Sequence, residues 1–192
     1  MSSPDPFAAH LQTLGQRLSE IESASIRPAA TAVENAWREN RTIFIAGNGG
    51  SANTALHLAT DLCKTTIGTA TTHKLRIRAI ALTGNVGLIT AWSNDVSFDH
   101  VFAEQIRNLG QGGDLLILLS ASGASPNLLT AARVATEIGI RSLALAPPAS
   151  ALTAIADVAI PINAETPQLA EDLHLAIGHA ITIHMCGILA RS

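Results

Sequence analysis

The tightest constraint on the fold is residues 43–64, IFIAGNGGSANTALHLATDLCK. Ile43, Phe44, Ile45 and Ala46 form a short apolar run of the kind that becomes a buried parallel strand. Gly47, Gly49 and Gly50, around Asn48, break that run, because glycine reaches backbone angles that other residues resist. Ser51 then offers an N-cap. From Ala52 the pattern turns helical, with Ala52, Ala55, Leu56, Ala59 and Leu62 on one side. A strand, a glycine turn and a helix start bring unpaired backbone N–H groups to one point, an anion site of the kind that phosphate occupies. The same helix carries His57 and Asp61 four residues apart, hence on one face. Anion binding and metal or acid/base chemistry are therefore expected within about one helix length of each other.

The alternation repeats downstream. Residues 42–46, 78–82, 114–119 (DLLILL), 141–146 and 158–160 read as strands. Between them, residues 51–64, 86–92, 98–109, 126–138 and a short stretch before 158 read as helices, with Ser93, Asn94 and Asp95 expected to break the second. A last long helix is expected over 169–190. Ahead of the first strand, Phe7, Leu11, Leu14, Leu18 and Ile21 recur at helical spacing, and Pro28 is expected in the first turn of a second helix. Strands alternating with helices predict an α/β fold. The expected architecture is a doubly wound, five-stranded parallel sheet, flavodoxin-like, with ligands at the carboxyl ends of the strands. With no repeat, low-complexity segment or linker, the reading is one domain over 1–192, with N-terminal helices over 1–40 and an α/β core over 41–192.

A second turn, residues 120–126 (SASGASP), follows DLLILL and enters a helix. Its hydroxyls at Ser120, Ser122 and Ser125 are suited to bonding phosphate oxygens beside helix N–H groups. Serine is also common in turns and caps, but its alternation directly after a buried strand favours a ligand. Nucleotide readings fare worse. There is no GxxxxGK[ST]. Gly47-x-Gly49-x-x-Ala52 does fit GxGxxA, but the second strand ends Ala81-Leu82-Thr83-Gly84, without the carboxylate a dinucleotide ribose requires. Lys74, Arg76 and Arg78 read as a solvated strand entry, with contact to a substrate phosphate as the alternative.

Composition narrows the setting. Only 14% of residues are charged and 47% are hydrophobic, which predicts that other subunits cover part of the surface. A formal net charge of −3 argues against nucleic acid as a partner. Two cysteines, Cys63 and Cys186, make neither a disulfide framework nor a CxxC pair, and a reducing cytoplasm is the simple reading. The N-terminus, MSSPDPFAAH, does not read as a signal peptide, and no apolar run is expected to reach the roughly 18–20 residues a membrane span needs.

GNGGSANTALHLATDL, SNDVSFDHVFAEQI, SASGASPN and EDLHLAIGH, in this order over about residues 40–190, resemble the sugar isomerase (SIS) domain, specifically the phosphoheptose isomerase group. The resemblance implies a homotetramer that converts sedoheptulose 7-phosphate to a heptose 7-phosphate, often with zinc. Carried over residue by residue, it implies substrate contacts at Asn48, Gly49 and Gly50, at Asn94 and Asp95, and at Ser120, Ala121, Ser122 and Ser125, with Ser51, Asp61 and Glu171 alongside. It implies metal ligands His57, Asp61, Glu171 and His179, and an acid/base pair of Asp61 and His179. Four positions depart from the better-known isomerases. Asp61 stands for Glu, one methylene shorter. Glu171 stands for Gln and adds a charge. Ala121 stands for Thr and removes a hydroxyl, and Thr65 stands where an Arg faces substrate.

Physical chemistry bears on the metal set independently. His57 and Asp61 at i, i+4 can hold one ion, and an imidazole with a carboxylate suits zinc. Glu171 and His179 are eight apart on one helix, about 12 Å along its axis, so they share an ion only if their side chains lean together. Glu171-x-x-His174 is a rival metal spacing. His100 and His184 read as core or capping residues. Two other functions remain open: a non-catalytic SIS regulator or scaffold that binds sugar phosphates, and an isomerase of a different sugar phosphate. Retention of His57, an acid at 61 and His179 favours an enzyme.

Overall fold

A computed structural model describes residues 5–67 and 75–191; Lys74 and residues 68–73 of the threonine-rich loop lie outside the described residues. Five strands, β1 (Thr42–Gly47), β2 (Arg78–Ala81), β3 (Leu115–Leu119), β4 (Arg141–Ala146) and β5 (Val158–Pro161), pair in parallel in the order β2-β1-β3-β4-β5. The central register sets Ile45 beside Ile117 and Ile117 beside Leu143.

Successive side chains on a strand point to opposite faces, so each central strand feeds two cores. Ile43, Ile45, Leu115, Ile117, Leu119, Leu143 and Leu145 pack on one side with helices α2 (Ser23–Arg38), α3 (Gly50–Cys63) and α8 (Pro167–Leu189). Phe44, Ala46, Leu116, Leu118, Ala144 and Ala146 pack on the other, with α5 (Ala103–Leu109), α6 (Pro126–Glu137) and α7 (Ala151–Ile155). Ile89 and Trp92 of α4 (Val86–Asp95) lie against that second core, while α1 (Pro6–Glu20) contributes no buried residue. The doubly wound parallel sheet is therefore as expected. Its strand order reverses between β1 and β3, and that reversal opens a crevice at their carboxyl ends. The glycine turn leaves β1 there, and the serine turn leaves β3.

Several local expectations are corrected. Pro28 lies inside α2, because burying Ala29, Ala30, Ala32, Val33, Ala36 and Trp37 outweighs one lost backbone hydrogen bond. Ser51 does not cap α3. The helix begins at Gly50, Gly49 takes the cap position at φ 59°, and Ser51 is buried in the first turn. Residues 93–95 continue α4 rather than breaking it. Residues 98–109 split into a 3-10 turn, Phe98–His100, and α5. By length and composition α8 could cross a membrane, but Leu169, Leu173, Ile177, Ile181, Met185 and Leu189 are all buried in the first core.

Candidate functional site

The two turns are joined by a pair of amides. Asn48 Nδ2 donates to Asn127 Oδ1, and Asn127 Nδ2 donates back to Asn48 Oδ1, both at 2.9 Å. Asn127 is buried in the first turn of α6. Asn127 closes the motif SASGASPN, where a polar residue at the start of an apolar helical period is its one signal in the sequence. The pairing occupies the Asn48 amide and locks the glycine turn against the serine turn.

Between them lies a pocket of roughly 200 Å³, lined by Asn48, Gly49, Gly50, Ser51, Ser120, Ala121, Ser122, Ser125 and Glu171, among others. Ser120 Oγ accepts from the Gly123 N–H at 2.9 Å, so its own hydrogen remains available to donate. Ser122 Oγ accepts a longer bond from the Ala124 N–H at 3.3 Å. Ser125 sits at the N-cap of α6 and makes no side-chain capping bond. Among the described residues no lysine or arginine lines this pocket, and Glu171 is its one charged group. A Cβ on Gly50 would overlap the Glu171 carboxylate, so any side chain at 50 would push that acid aside.

The metal-type residues gather further along the same helix pair. His57 and Asp61 of α3 meet His179 of α8. His57 Nε2 and His179 Nε2 are 3.0 Å apart, and Asp61 Oδ2 lies 3.5 Å from the first and 3.6 Å from the second. A tetrahedral ion with bonds of about 2.0–2.2 Å holds its donors about 3.3–3.6 Å apart; both Asp61 separations match that spacing, and the two imidazoles, at hydrogen-bond distance, would part by about 0.3 Å to share one ion. Two imidazoles and one carboxylate are a zinc-type donor set. Both histidine side chains are nearly half exposed and Asp61 is 15% exposed, so the cluster opens to solvent. Asp61 Oδ1, the oxygen turned away, accepts from the Thr65 hydroxyl at 2.9 Å.

Two expected participants lie elsewhere. Glu171 belongs to the serine pocket and is not in the three-residue cluster, as its 12 Å axial separation from His179 requires. His174, the rival ligand, is buried with neither ring nitrogen hydrogen-bonded, and burial pushes its pKa down to about 4. Asn94 and Asp95 sit exposed on the last turn of α4, bonded to each other at 2.7 Å, and neither lines the pocket of its own chain.

Comparison with known proteins places the arrangement. The SIS domain family matches residues 6–146. The chain is 36% identical over 159 residues to the phosphoheptose isomerase of Bradyrhizobium sp. strain BTAi1, covering 82% of this chain and 78% of that one. It is 34% identical over 190 residues to the phosphoheptose isomerase of Rhodospirillum rubrum, covering 96% of each. The solved structure of a phosphoheptose isomerase from Francisella tularensis superposes over 100% of both chains with a TM-score of 0.86 at 26% identity. With the fold, the two turns and the histidine–carboxylate cluster in the same chain, this protein belongs to the phosphoheptose isomerase group of the SIS domain family.

Proposed function

We propose that the chain is an aldose–ketose isomerase that converts sedoheptulose 7-phosphate to a heptose 7-phosphate through an enediol. One observation carries this reading beyond the family relationship. The serine pocket and the His57–Asp61–His179 cluster lie at two stations along one helix pair, Glu171 marking the first and His179 the second. Their separation of about 12 Å along α8 suits a ligand whose phosphate and carbonyl are at opposite ends.

In this reading the phosphate binds Ser120, Ser122 and Ser125, with Asn48, Gly49, Gly50, Ser51, Ala121 and Glu171 framing the sugar chain. Hydroxyl and N–H donors hold the anion; among the described residues no basic side chain lines the pocket. At the other end Asp61 and His179 move the proton. One takes it from C1, leaving an enediol as the C2 oxygen gains a hydrogen. A proton then returns at C2 while the C1 hydroxyl loses its own, producing the aldehyde. Groups that change protonation near neutral pH are what this transfer needs. His57, Asp61 and His179 would hold a divalent ion, zinc by donor type, which when bound polarises the carbonyl and stabilises negative charge on its oxygen.

The same proposal includes a homotetramer in the cytoplasm, each chain acting as one SIS domain over 1–192. Exposed Phe7, Leu11 and Leu18 on α1 support assembly, and the free thiols of Cys63 and Cys186 suit a reducing compartment. Asn94 and Asp95, remote from their own pocket, would meet substrate at a subunit boundary. NMR of sedoheptulose 7-phosphate incubated with purified protein tests the reaction. Aldose resonances should appear, faster with added zinc than after chelation; unchanged substrate under both conditions would overturn it.

A further inference from the structure

We infer that Thr65 is a positioning residue for the His57–Asp61–His179 cluster: its hydroxyl holds the Asp61 carboxylate so that a single oxygen faces the two imidazoles. The inference rests on the reading that this cluster binds a divalent ion. Thr65 Oγ1 donates to Asp61 Oδ1 at 2.9 Å, and the other oxygen, Asp61 Oδ2, lies 3.5 and 3.6 Å from the histidine nitrogens. Thr65 opens the 3-10 turn Thr65–Ile67 that follows α3. That turn is tied to both helices that supply the cluster. The buried Thr66 hydroxyl donates to the Leu62 carbonyl at 2.7 Å, and Cys186 Sγ of α8 donates to the Thr65 carbonyl at 3.7 Å.

Aspartate reaches its oxygens through two rotatable bonds, and an unheld carboxylate in a cluster open to solvent turns toward water. A hydroxyl bound to one oxygen removes that freedom and fixes which lone pairs point inward, as partners beyond the ligands do in metal sites generally. The short acid at 61 and the hydroxyl at 65 therefore act as a unit.

The test titrates zinc into metal-stripped full-length protein against a competing chromogenic chelator, comparing wild type, Thr65→Val, Thr65→Ser and His57→Ala. Loss of a partner beyond the ligands weakens metal binding about 10–100-fold; Thr65 is exposed, so Thr65→Val should fall near tenfold and Thr65→Ser within about threefold of wild type. Metal-free melting temperatures should coincide, because valine matches threonine in shape. Wild-type affinity in Thr65→Val, equal weakening in Thr65→Ser, or a metal-free stability loss without an affinity change would overturn the role of Thr65. Absence of zinc binding in the wild type, or binding that His57→Ala leaves unchanged, would overturn the metal reading and this inference together.

Discussion

His179 meets two demands at one atom. Its Nε2 lies 3.0 Å from His57 Nε2 and 3.6 Å from Asp61 Oδ2, so that one lone pair can serve a metal or a proton, in alternation and never both at once. Its side chain is 45% exposed, so little packing depends on it. His179→Gln keeps similar volume and should leave the metal-free melting temperature unchanged. General acid–base groups contribute about 10²–10⁴ in rate, so isomerase activity should fall at least about a hundredfold. Turnover at the wild-type rate would remove His179 from the mechanism and leave Asp61 to be tested alone. Glu171 shows the opposite kind of constraint. Its carboxylate occupies the space where a side chain at 50 would begin, so a larger residue at 50 would displace the acid from the serine pocket.

The α3–α8 seam is the element on which the site is built. Gly50 meets Glu171, Leu58 approaches Gly178 closely enough that a Cβ there would stand 3.3 Å from Leu58 Cδ1, and His57 meets His179. The two helices therefore run in parallel, with glycines at two of their close approaches. His174 belongs to the buried side of the same helix and titrates accordingly. Burial penalises its charged form and lowers its pKa from 6.5 to about 4. A histidine depressed on folding is protonated first in the unfolded chain, so its contribution is complete above pH 6.5 and is lost as pH falls toward 4. The full loss is about 3 kcal/mol. Chemical denaturation at pH 7 and pH 5 should show wild type losing stability that His174→Leu retains. At pH 7 the variant should be no less stable, since it removes two unpaired buried nitrogens. Equal acid sensitivity in both proteins would exclude His174 as the source.

At the scale of the molecule, the two cores satisfy the sheet but leave α1 with nothing buried. Phe7 is 79% exposed and Leu11 67%, while partly buried Leu14 rests on the first core and the His10–Asp172 and Arg17–Glu165 pairs add polar ties to the body. An exposed apolar stripe of this kind marks an assembly surface, and the exposed ion pairs beside it contribute little to holding the helix. Light scattering at micromolar concentration should give an oligomer, tetrameric by expectation, and Leu11→Glu should shift it toward smaller species without unfolding the chain. A monomeric wild type would sink the assembly.

Much of this architecture is local and so was legible in the chain. The apolar runs at 43–46 and 114–119, each followed by small residues and a helical period, determine strand, turn and helix through neighbours a few residues apart. His57 and Asp61 were legible as a pair for the same reason, one helical turn joining them. Tertiary structure alone decided the rest, because the partners are remote. Asn48 finds Asn127 across 79 residues, and His57 finds His179 across 122. Local rules also yielded where burial opposed them: Pro28 stays inside a helix whose far side is core, and Ser51 leaves the cap to a glycine at positive φ. The division of Glu171 from the histidine cluster follows from the rise of a straight helix, which keeps residues eight apart from sharing one ion unless their side chains converge, and only the seam with α3 shows that they do not.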